Sequence, residues 1–543
     1  MQYSKSYSTK KTAQNQKIPG PKGENQVKNN AGGFVFGIDE FKKLDRFLIL
    51  GTEGGSYYVN QHNLTIENAN NVVECIKKDG EKVVNRVIEI SQEGRAPKND
   101  PAIFTIALAC TFGDEKTKKL AYDNITNVCR TGTHLFQFMQ SVKDMRGFSR
   151  GLRRGISKYY TDRPVNNLAF QLVKYRQRAG WTHKDVLALT HPKIKEENKN
   201  ELIRWAVGNE KRQANKEKLH PIINAFEEIN KLNEKDVKRA VEIITEHRLP
   251  LECVPTYFQK DKKIWEAVLP NLMIIALTRN LGRMTACGLL ENALQTETKD
   301  IICKLTDAGQ IKRSKIHPLQ VLLALKTYEQ GCGFRGSLSW NPIPQIVDAL
   351  NEAFYMSFKN VEPTNKSFYL GIDVSGSMSS TIMNTNISNA EAAAALAMVT
   401  ARTEKNYECR GFTSASGDYF SRNTLMTDLG ITPNMRLDDV MRTTNRRNFG
   451  ATDCSLPMIH AKKQKMDVDC FIVYTDNETW HGKTHPCQAL EDYRQFIGHQ
   501  AKLIVAAFST SEFSIADPND SNSLDIVGFD AAIPSVIRSF VTE

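Results

Sequence analysis

Asp373-Val-Ser375-Gly-Ser377 is the sharpest cluster of chemistry-bearing residues in this chain. A carboxylate and two hydroxyls at two-residue intervals in a turn can point at one centre, and hard oxygens of this kind suit Mg2+ or Mn2+ rather than a soft metal. Alone the pattern is weak, since D-x-S-x-S arises by chance about once in five to ten chains of this length. Two more oxygen groups strengthen it: Thr452 in Gly450-Ala-Thr452-Asp453, ahead of an expected helix, and Asp476, closing the run Phe471-Ile-Val-Tyr-Thr-Asp476. All three follow expected β segments, and open α/β sheets bind ligands at the carboxyl ends of their strands. The plainer readings are a helix N-cap for Thr452 and a loop carboxylate for Asp476. Other candidates fail. Gly482-Lys483-Thr484 would put Asn477 where a phosphate loop needs its first glycine. His481, His485 and Cys487 lack a second ligand pair for zinc and read as a surface loop. Ser375 has no histidine placed by motif to activate it as a nucleophile.

The second concentration of chemistry is cationic. Residues 143–184 hold eleven Lys and Arg against only Asp144 and Asp162. Spacing of i+4 over 145–160 reads as one helix with three stripes. Arg146, Arg150, Arg154 and Lys158 make one, Gly147, Gly151 and Gly155 the next, and Phe148, Leu152, Ile156 and Tyr160 the third. The apolar stripe should pack inward and the basic stripe face out. Each glycine costs ~1 kcal/mol of helix propensity against alanine, so three in register imply a close approach, by a neighbouring helix or by a phosphate backbone. The next expected helix, 168–178, presents Gln171, Lys174 and Arg178 on one side and stops at Gly180. Thr182 and Asp185 read as a capping box for a helix ending at Thr190-His191-Pro192. Lys174, Arg178 and His191 would then line one groove, with Tyr175 and Trp181 near for stacking. Against this stand a helix-end histidine and a core tryptophan.

Two different sets of elements must position these groups. From Gly37 to about Phe358 the pattern is helical almost throughout, with segments such as 67–77, 82–92, 101–112 and 115–129 carrying apolar residues at i, i+3, i+4. Short breaks at Asp79-Gly80, Gly94 with Pro97, Gly113-Asp114 and Thr131-Gly132 separate them, the rhythm of an α-solenoid of stacked hairpins. After Pro363 the pattern alternates: strand 367–372, helix 390–401, strand 407–412, helix 455–465, strand 470–474, helix 486–497, strand 502–508. That is a parallel, doubly wound sheet. We therefore expect a disordered basic tail over 1–33, a helical-repeat domain over 34–362 and an α/β domain over 363–543.

The bulk numbers agree with a globular protein that has two functional surfaces. The 543 residues are 41% hydrophobic and 24% charged, enough for about three or four domains' worth of cores. Net charge is +11, but residues 361–543 hold 16 basic and 22 acidic side chains, net −6, leaving the first 360 at +17. A basic half suits a polyanion partner, and a merely solvated lysine-rich surface is the alternative. No apolar run approaches the ~18 residues of a membrane span, and the start lacks the apolar core of a signal peptide. Eleven cysteines without a CxxC pair suggest reduced thiols in a cytoplasmic or nuclear protein.

The C-terminal part resembles the von Willebrand factor A domain, whose metal-ion-dependent adhesion site pairs D-x-S-x-S with a distant Thr and Asp. That resemblance implies a divalent ion, Mg2+ in the first instance, touched by Ser375, Ser377 and Thr452, with Asp373 and Asp476 acting mostly through water. From about Phe41 to Phe540 the chain resembles the Ro autoantigen family, the Y-RNA-binding proteins of Ro ribonucleoproteins. The matches include Arg46-Phe-Leu, Glu53-Gly-Gly-Ser-Tyr-Tyr, Ser91-Gln-Glu-Gly-Arg95, Val128-Cys-Arg with Thr133-His-Leu-Phe, Lys174-Tyr-Arg-Gln-Arg with Gly180-Trp-Thr-His-Lys-Asp, Arg279-Asn-Leu-Gly-Arg-Met, and Val473-Tyr-Thr-Asp-Asn-Glu-Thr. The resemblance implies a ring-like α-solenoid of HEAT-like repeats closed by the von Willebrand factor A-like domain. It implies Y RNA on an outer basic face that includes Lys174, Arg178 and His191, and misfolded non-coding RNAs held by single-stranded 3′ ends in a central hole, as in RNA quality control. The protein would be a monomeric, non-enzymatic RNA binder, with a protein or acidic ligand as a further partner at the metal site. The tail, residues 193–236 and the loop 413–432 depart from the family, and Phe148-Ser149-Arg150 stands where the family often has aromatic-Gly-Arg. From other function classes come an adhesion-type scaffold and a metal-dependent nuclease, the latter disfavoured because two serines and a threonine lack the carboxylate density of a two-metal site.

Overall fold

Phe368 to Ile372 and Cys470 to Tyr474 are unbroken apolar or small runs, the signature of strands covered on both faces. The computed structural model describes residues 11–50, 69–208, 214–333, 337–358, 362–382, 387–413, 426–445, 451–508 and 512–542. It places those runs in the middle of a six-stranded sheet. The chain divides into two compact units, one of residues 1–71 with 358–543 and one of residues 72–357.

In the first unit the sheet runs Ser523–Val527, Lys502–Ala507, Cys470–Thr475, Ser367–Asp373, Asn406–Phe412, Met426–Asp428. The first five strands are parallel and the short last one is antiparallel at the edge. Helices Asn389–Thr403, Leu456–Lys463 and Pro486–Ile497 fall where alternation predicts them. Asn389–Thr403 is buried from Asn389 to Ala401 and opens with a capping box between Ser388 and Glu391. From Ser367–Asp373 the chain crosses to a neighbour on one side and then to Cys470–Thr475 on the other, which makes their carboxyl ends the topological switch point.

The expected disordered tail over 1–33 is corrected for residues 11–33, which are folded onto this unit; residues 1–10 lie outside the described ones. Gln26–Lys28 and Phe34–Gly37 pair antiparallel and Phe513–Ser514 adds a third strand. Gln14 is fully buried, its amide donating to Asp453 Oδ1 at 2.7 Å and to the Thr484 carbonyl at 2.9 Å. Asn29 donates to the carbonyls of Asn477 at 3.2 Å and Thr479 at 2.7 Å. A Cβ on Gly33 would stand 2.0 Å from the Thr479 carbonyl oxygen, so only glycine fits there. Low apolar content suggested disorder, but primary amides each donate and accept, so an Asn/Gln-rich segment can bind through another segment's backbone. Residues 34–50 side with this unit as well: Arg46, buried in helix Glu40–Leu50, donates through Nη2 to both Asp525 oxygens at 2.8 and 2.7 Å and through Nη1 to the Phe513 carbonyl at 3.1 Å.

Among its described residues the second unit is helical apart from a two-stranded hairpin, Gln177–Arg178 with Trp181–Thr182, and a single bridge between Cys332 and Ser339. Asp100–Phe112 is apolar around its whole circumference and buried from Pro101 to Thr111 between Glu115–Val128 and Gly132–Met145. The expected pair 67–77 and 82–92 is one helix, Asn70–Glu93, kinked at Asp79. Later helices return to the first ones: Gln320 donates to the Pro97 carbonyl at 2.7 Å and His317 Nε2 meets the Arg95 carbonyl at 2.9 Å. Among the described residues no helix is long and apolar enough to cross a membrane.

Candidate metal centre and nucleic-acid interface

Asp373 is the last residue of its strand, and the chain turns at once into a short 3-10 segment, Gly376–Ser379. That turn brings the motif's oxygens together. The Ser375 N–H donates to Asp373 Oδ1 at 2.9 Å, fixing the carboxylate against the turn. Ser375 Oγ lies 3.2 Å from Ser377 Oγ and accepts from Thr452 Oγ1 at 2.8 Å. Asp476, just past the neighbouring strand, has its Oδ1 tied by the Glu478 N–H at 3.1 Å. All five side chains are at most 3% exposed. Thr452 is not the N-cap of the following helix, a place taken by Ser455. Instead its carbonyl accepts from the N–H groups of Trp480 and His481, which joins the loop carrying Thr452 to the loop carrying Asp476. Gly450 lies outside the described residues.

The electrostatics fit a dication. Burial raises the Asp373 pKa, the charge of Asp476 raises it further, and burial raises Asp476 too. Two carboxylates held together away from water resist ionising unless a positive charge joins them, and a divalent ion among three hydroxyls would supply it. Asp373, Ser375, Ser377, Thr452 and Asp476 could hold such an ion. Among the described residues no cluster of three or more His, Cys, Asp or Glu is placed to bind a metal, so the carboxylate-rich arrangement of a two-metal nuclease is not met among them. His485 and Cys487 are not a surface loop: both are buried, and His485 Nε2 meets the Gln16 carbonyl at 2.8 Å.

The basic region is built differently from its sequence pattern. The expected single helix 145–160 is two: Gly132–Met145 ends, Gly147 turns with φ +94°, and Ser149 caps Arg150–Thr161 by accepting from the Leu152 N–H. Arg146 therefore sits at a helix end, apart from the stripe of Arg150, Arg154 and Lys158. Gly151 and Gly155 answer to a neighbouring helix rather than a phosphate backbone, and Gly147 to the turn. A Cβ on Gly155 would stand 2.7 Å from the Tyr122 carbonyl, and one on Gly151 would stand 3.0 Å from the Tyr122 ring. Leu152, Ile156 and Tyr160 are buried as expected.

Helix 168–178 is corrected to Val165–Lys174, because the chain then turns into the hairpin through Ala179 and Gly180, both at positive φ. Lys174 and Arg178 thus do not share a helix face. Gln171 is a structural residue, 7% exposed, whose Oε1 accepts from the Gly132 N–H at 3.1 Å and the Tyr159 hydroxyl at 2.9 Å. The Lys174 side chain is 12% exposed, paired with Glu252 at 3.3 Å and lying over the Phe170 and Tyr175 rings. Arg178 is exposed on the hairpin. The capping box is present between Thr182 and Asp185, and exposed His191 ends that helix at φ 43°. Trp181 fastens the hairpin: it donates to Gln140 at 3.0 Å, packs edge-on against Phe148 and lies under Lys143. That contact brings the hairpin beside the Arg146–Arg150 turn. Arg146, Arg150, Arg153, Arg154 and Arg178 are exposed and make no ion pair among the described residues, whereas Lys158 is paired with Asp123 at 2.8 Å.

Beside the hairpin opens a cavity of about 910 Å3 lined by Arg176, Lys184, Lys231, Trp205 and Phe226, among others. Arg176 lies over the Phe226 ring, 4.9 Å from its centroid. Cations and aromatics around one groove are the chemistry of nucleic-acid binding. The sequence reading missed it because Trp205, Phe226 and Lys231 come from the segment 193–236, whose only signal was two aromatics among charges.

The comparisons with known proteins agree with this architecture. A TROVE domain model matches residues 27–327 and a Ro60 vWA domain model matches residues 367–541. The RNA-binding protein RO60 of Deinococcus radiodurans is 37% identical, with 95% of each chain covered, and that of Caenorhabditis elegans is 34% identical, with 96% of this chain and 90% of the other covered. The crystal structure of the Deinococcus radiodurans Ro protein superposes with a TM-score of 0.70 at 35% identity, covering 93% of this chain and 99% of that one. Helical repeats followed by a doubly wound domain with clustered hydroxyls and carboxylates, matched at this identity over nearly the whole length, make this chain a member of the Ro60 family.

Proposed function

We propose that this protein binds RNA without catalysing a reaction: structured Y-type small RNAs on the basic face of the helical unit, and single-stranded 3′ ends of misfolded non-coding RNAs on a second, looser surface within it. The observation that carries the first part is the set of exposed arginines at 146, 150, 153 and 178 left without carboxylate partners among the described residues, with Arg154 sharing the charge of Asp123 beside them. Guanidinium groups at fixed positions on two helix ends and a hairpin suit a folded phosphate backbone. Arg178 and His191 supply the exposed members of the expected trio, and Lys174 stiffens the hairpin's base. Arg279 and Arg283 are the candidates for the 3′-end surface. We place the protein in the cytoplasm and nucleus as a monomer. If phosphates dominate, log affinity should fall linearly with log salt by ~0.7–0.9 per contact. An affinity flat between 50 and 200 mM salt would overturn the RNA reading and favour a protein-binding scaffold, and sequencing co-purified RNA would name the ligands.

The α/β domain carries a divalent ion, Mg2+ in this reading, open to an acidic group from a partner. Asp373, Ser375, Ser377, Thr452 and Asp476 would hold it, and a bound ion would neutralise the carboxylates and supply an electrophilic position. Asp373→Ala should abolish Mg2+ or Mn2+ binding measured by calorimetry, while changing RNA affinity less than about threefold. Collapse of RNA binding in a variant with unchanged melting temperature would show that the two activities are not separate.

A further inference from the structure

Where the last helices of the helical unit meet the first lies a second cavity, of about 420 Å3, within the ~300–1,000 Å3 range of small-molecule sites. Its lining includes Lys98, Arg130, Arg313 and Lys315 and no Asp or Glu among the described residues. Of the acids on nearby elements, Glu89 is paired with Arg86 and Arg95, and Asp307, outside the lining, caps the Gln310 N–H and feels the charge of Arg313.

Arg130 is the decisive member. Its half-buried guanidinium donates to the Ser91 hydroxyl at 2.7 Å and to the Asn127 carbonyl at 3.4 Å, both neutral. Ser91 donates onward to Asn99 Oδ1 at 2.6 Å, and Asn99 donates to the Val128 carbonyl at 3.0 Å, so the chain of bonds holds the cation in place. Taking a guanidinium partly out of water is costly unless an anion meets it. The cavity's two histidines do not supply competing charge. Burial holds the His134 pKa down at about 4, and His317 accepts from the Leu319 N–H through Nδ1 while its Nε2 faces the Arg95 carbonyl. Among the described residues no Phe, Tyr or Trp lines the cavity, so they give no platform on which a base could stack. Charge and hydrogen bonding are what it offers, and a guanidinium with ammonium neighbours fits the oxygens of a phosphate.

We infer that this cavity is a phosphate-monoester site, indifferent to the base, which takes the terminal phosphate of a nucleotide, either free or at an RNA end. It is independent of the basic face around the hairpin. The test titrates the full chain at low salt with inorganic phosphate, with adenosine 5′-monophosphate, and with a short single-stranded RNA carrying or lacking a terminal phosphate. At least one phosphate should bind saturably, and the phosphorylated RNA should outbind its unphosphorylated twin if the RNA end is the source. Lys98→Gln with Arg313→Gln, both exposed and so compatible with an unchanged melting temperature, should weaken binding at least ~tenfold. Arg239→Gln, a surface cation held by Glu228 and Glu242 outside both sites, should leave it unaltered. No saturable binding of any phosphate, equal binding by the double variant, or an equal loss in Arg239→Gln would overturn the assignment.

Discussion

Replacing Arg146, Arg150 and Arg178 together by glutamine is expected to cost about 4 kcal/mol or more in binding a structured RNA, on the order of a thousandfold in affinity. Each is exposed and has no carboxylate to return to among the described residues, so nothing in the free protein competes for it. A charged hydrogen bond contributes ~1.5–3 kcal/mol, and the slope of log affinity against log salt should fall by about two units when three phosphate contacts go. Lys174→Gln should cost less than any one of these arginines, because Lys174 is already engaged by Glu252 and two rings. Arg239, held by Glu228 and Glu242, is the control and should change little. An unstructured 3′ tail should lose less than the folded RNA on the same triple variant. Fluorescence anisotropy with both RNAs at one salt concentration reads all of this. A triple-variant loss below tenfold, or a matching loss in Arg239→Gln, would remove the basic face from the RNA reading. Equal losses for the two RNAs would mean one shared surface.

The α/β domain was legible because its elements are dictated locally. The central parallel strands Ser367–Asp373 and Cys470–Thr475, covered on both faces, must be apolar along nearly their whole length, and the next α-helix after each is announced in the sequence, after the first by the start signal at Ser388 and Glu391. The gathering of the D-x-S-x-S oxygens with Thr452 and Asp476 was legible for the same reason: a strand end fixes where Asp373 and Asp476 must lie. The edge strand Met426–Asp428 and strand Ser523–Val527 were not, since the first is short and the second follows no clear turn signal. Glu53-Gly-Gly-Ser-Tyr-Tyr falls outside the described residues.

The basic region shows why periodicity fails at helix ends. Arg146, Arg150, Arg154 and Lys158 repeat every four residues, yet a repeat of four carries no mark that tells a helix from two helices meeting at a glycine. Ser149 was the missed signal, a hydroxyl placed to cap a new helix three residues before Leu152. At 168–178 the misleading feature was Arg178, which continues the spacing of Gln171 and Lys174 although the backbone has already turned. The N-terminal arm was invisible for a third reason. Gln14 and Asn29 are bound by backbone carbonyls and side chains more than 400 residues away, and composition records none of that.

Acid should weaken the helical unit from inside. His183 is 4% exposed, packed edge-on against Phe136 and close to Tyr159, with its Nδ1 2.9 Å from the Tyr160 hydroxyl. Burial lowers its pKa from 6.5 to about 4, and Arg163 adds a like charge against protonation. His134 is lowered to about 4 by burial and by Arg130. In the unfolded chain both return to about 6.5, so between these values the unfolded state binds more protons and stability falls as pH falls. The full effect is ~3 kcal/mol per histidine, and between pH 7 and 5 it is about 2 each, or ~4 kcal/mol together. Ordinary carboxylates titrate mostly below that window. The raised carboxyls Asp373 and Asp476 act oppositely, gaining protons in the folded state, but they belong to the other unit. Denaturant melts at pH 7, 6 and 5 should therefore show a steep loss that flattens in His134→Gln with His183→Gln. That double variant starts less stable, but only the slope against pH is read. An undiminished slope would mean that these imidazoles are already charged or solvated in the folded state.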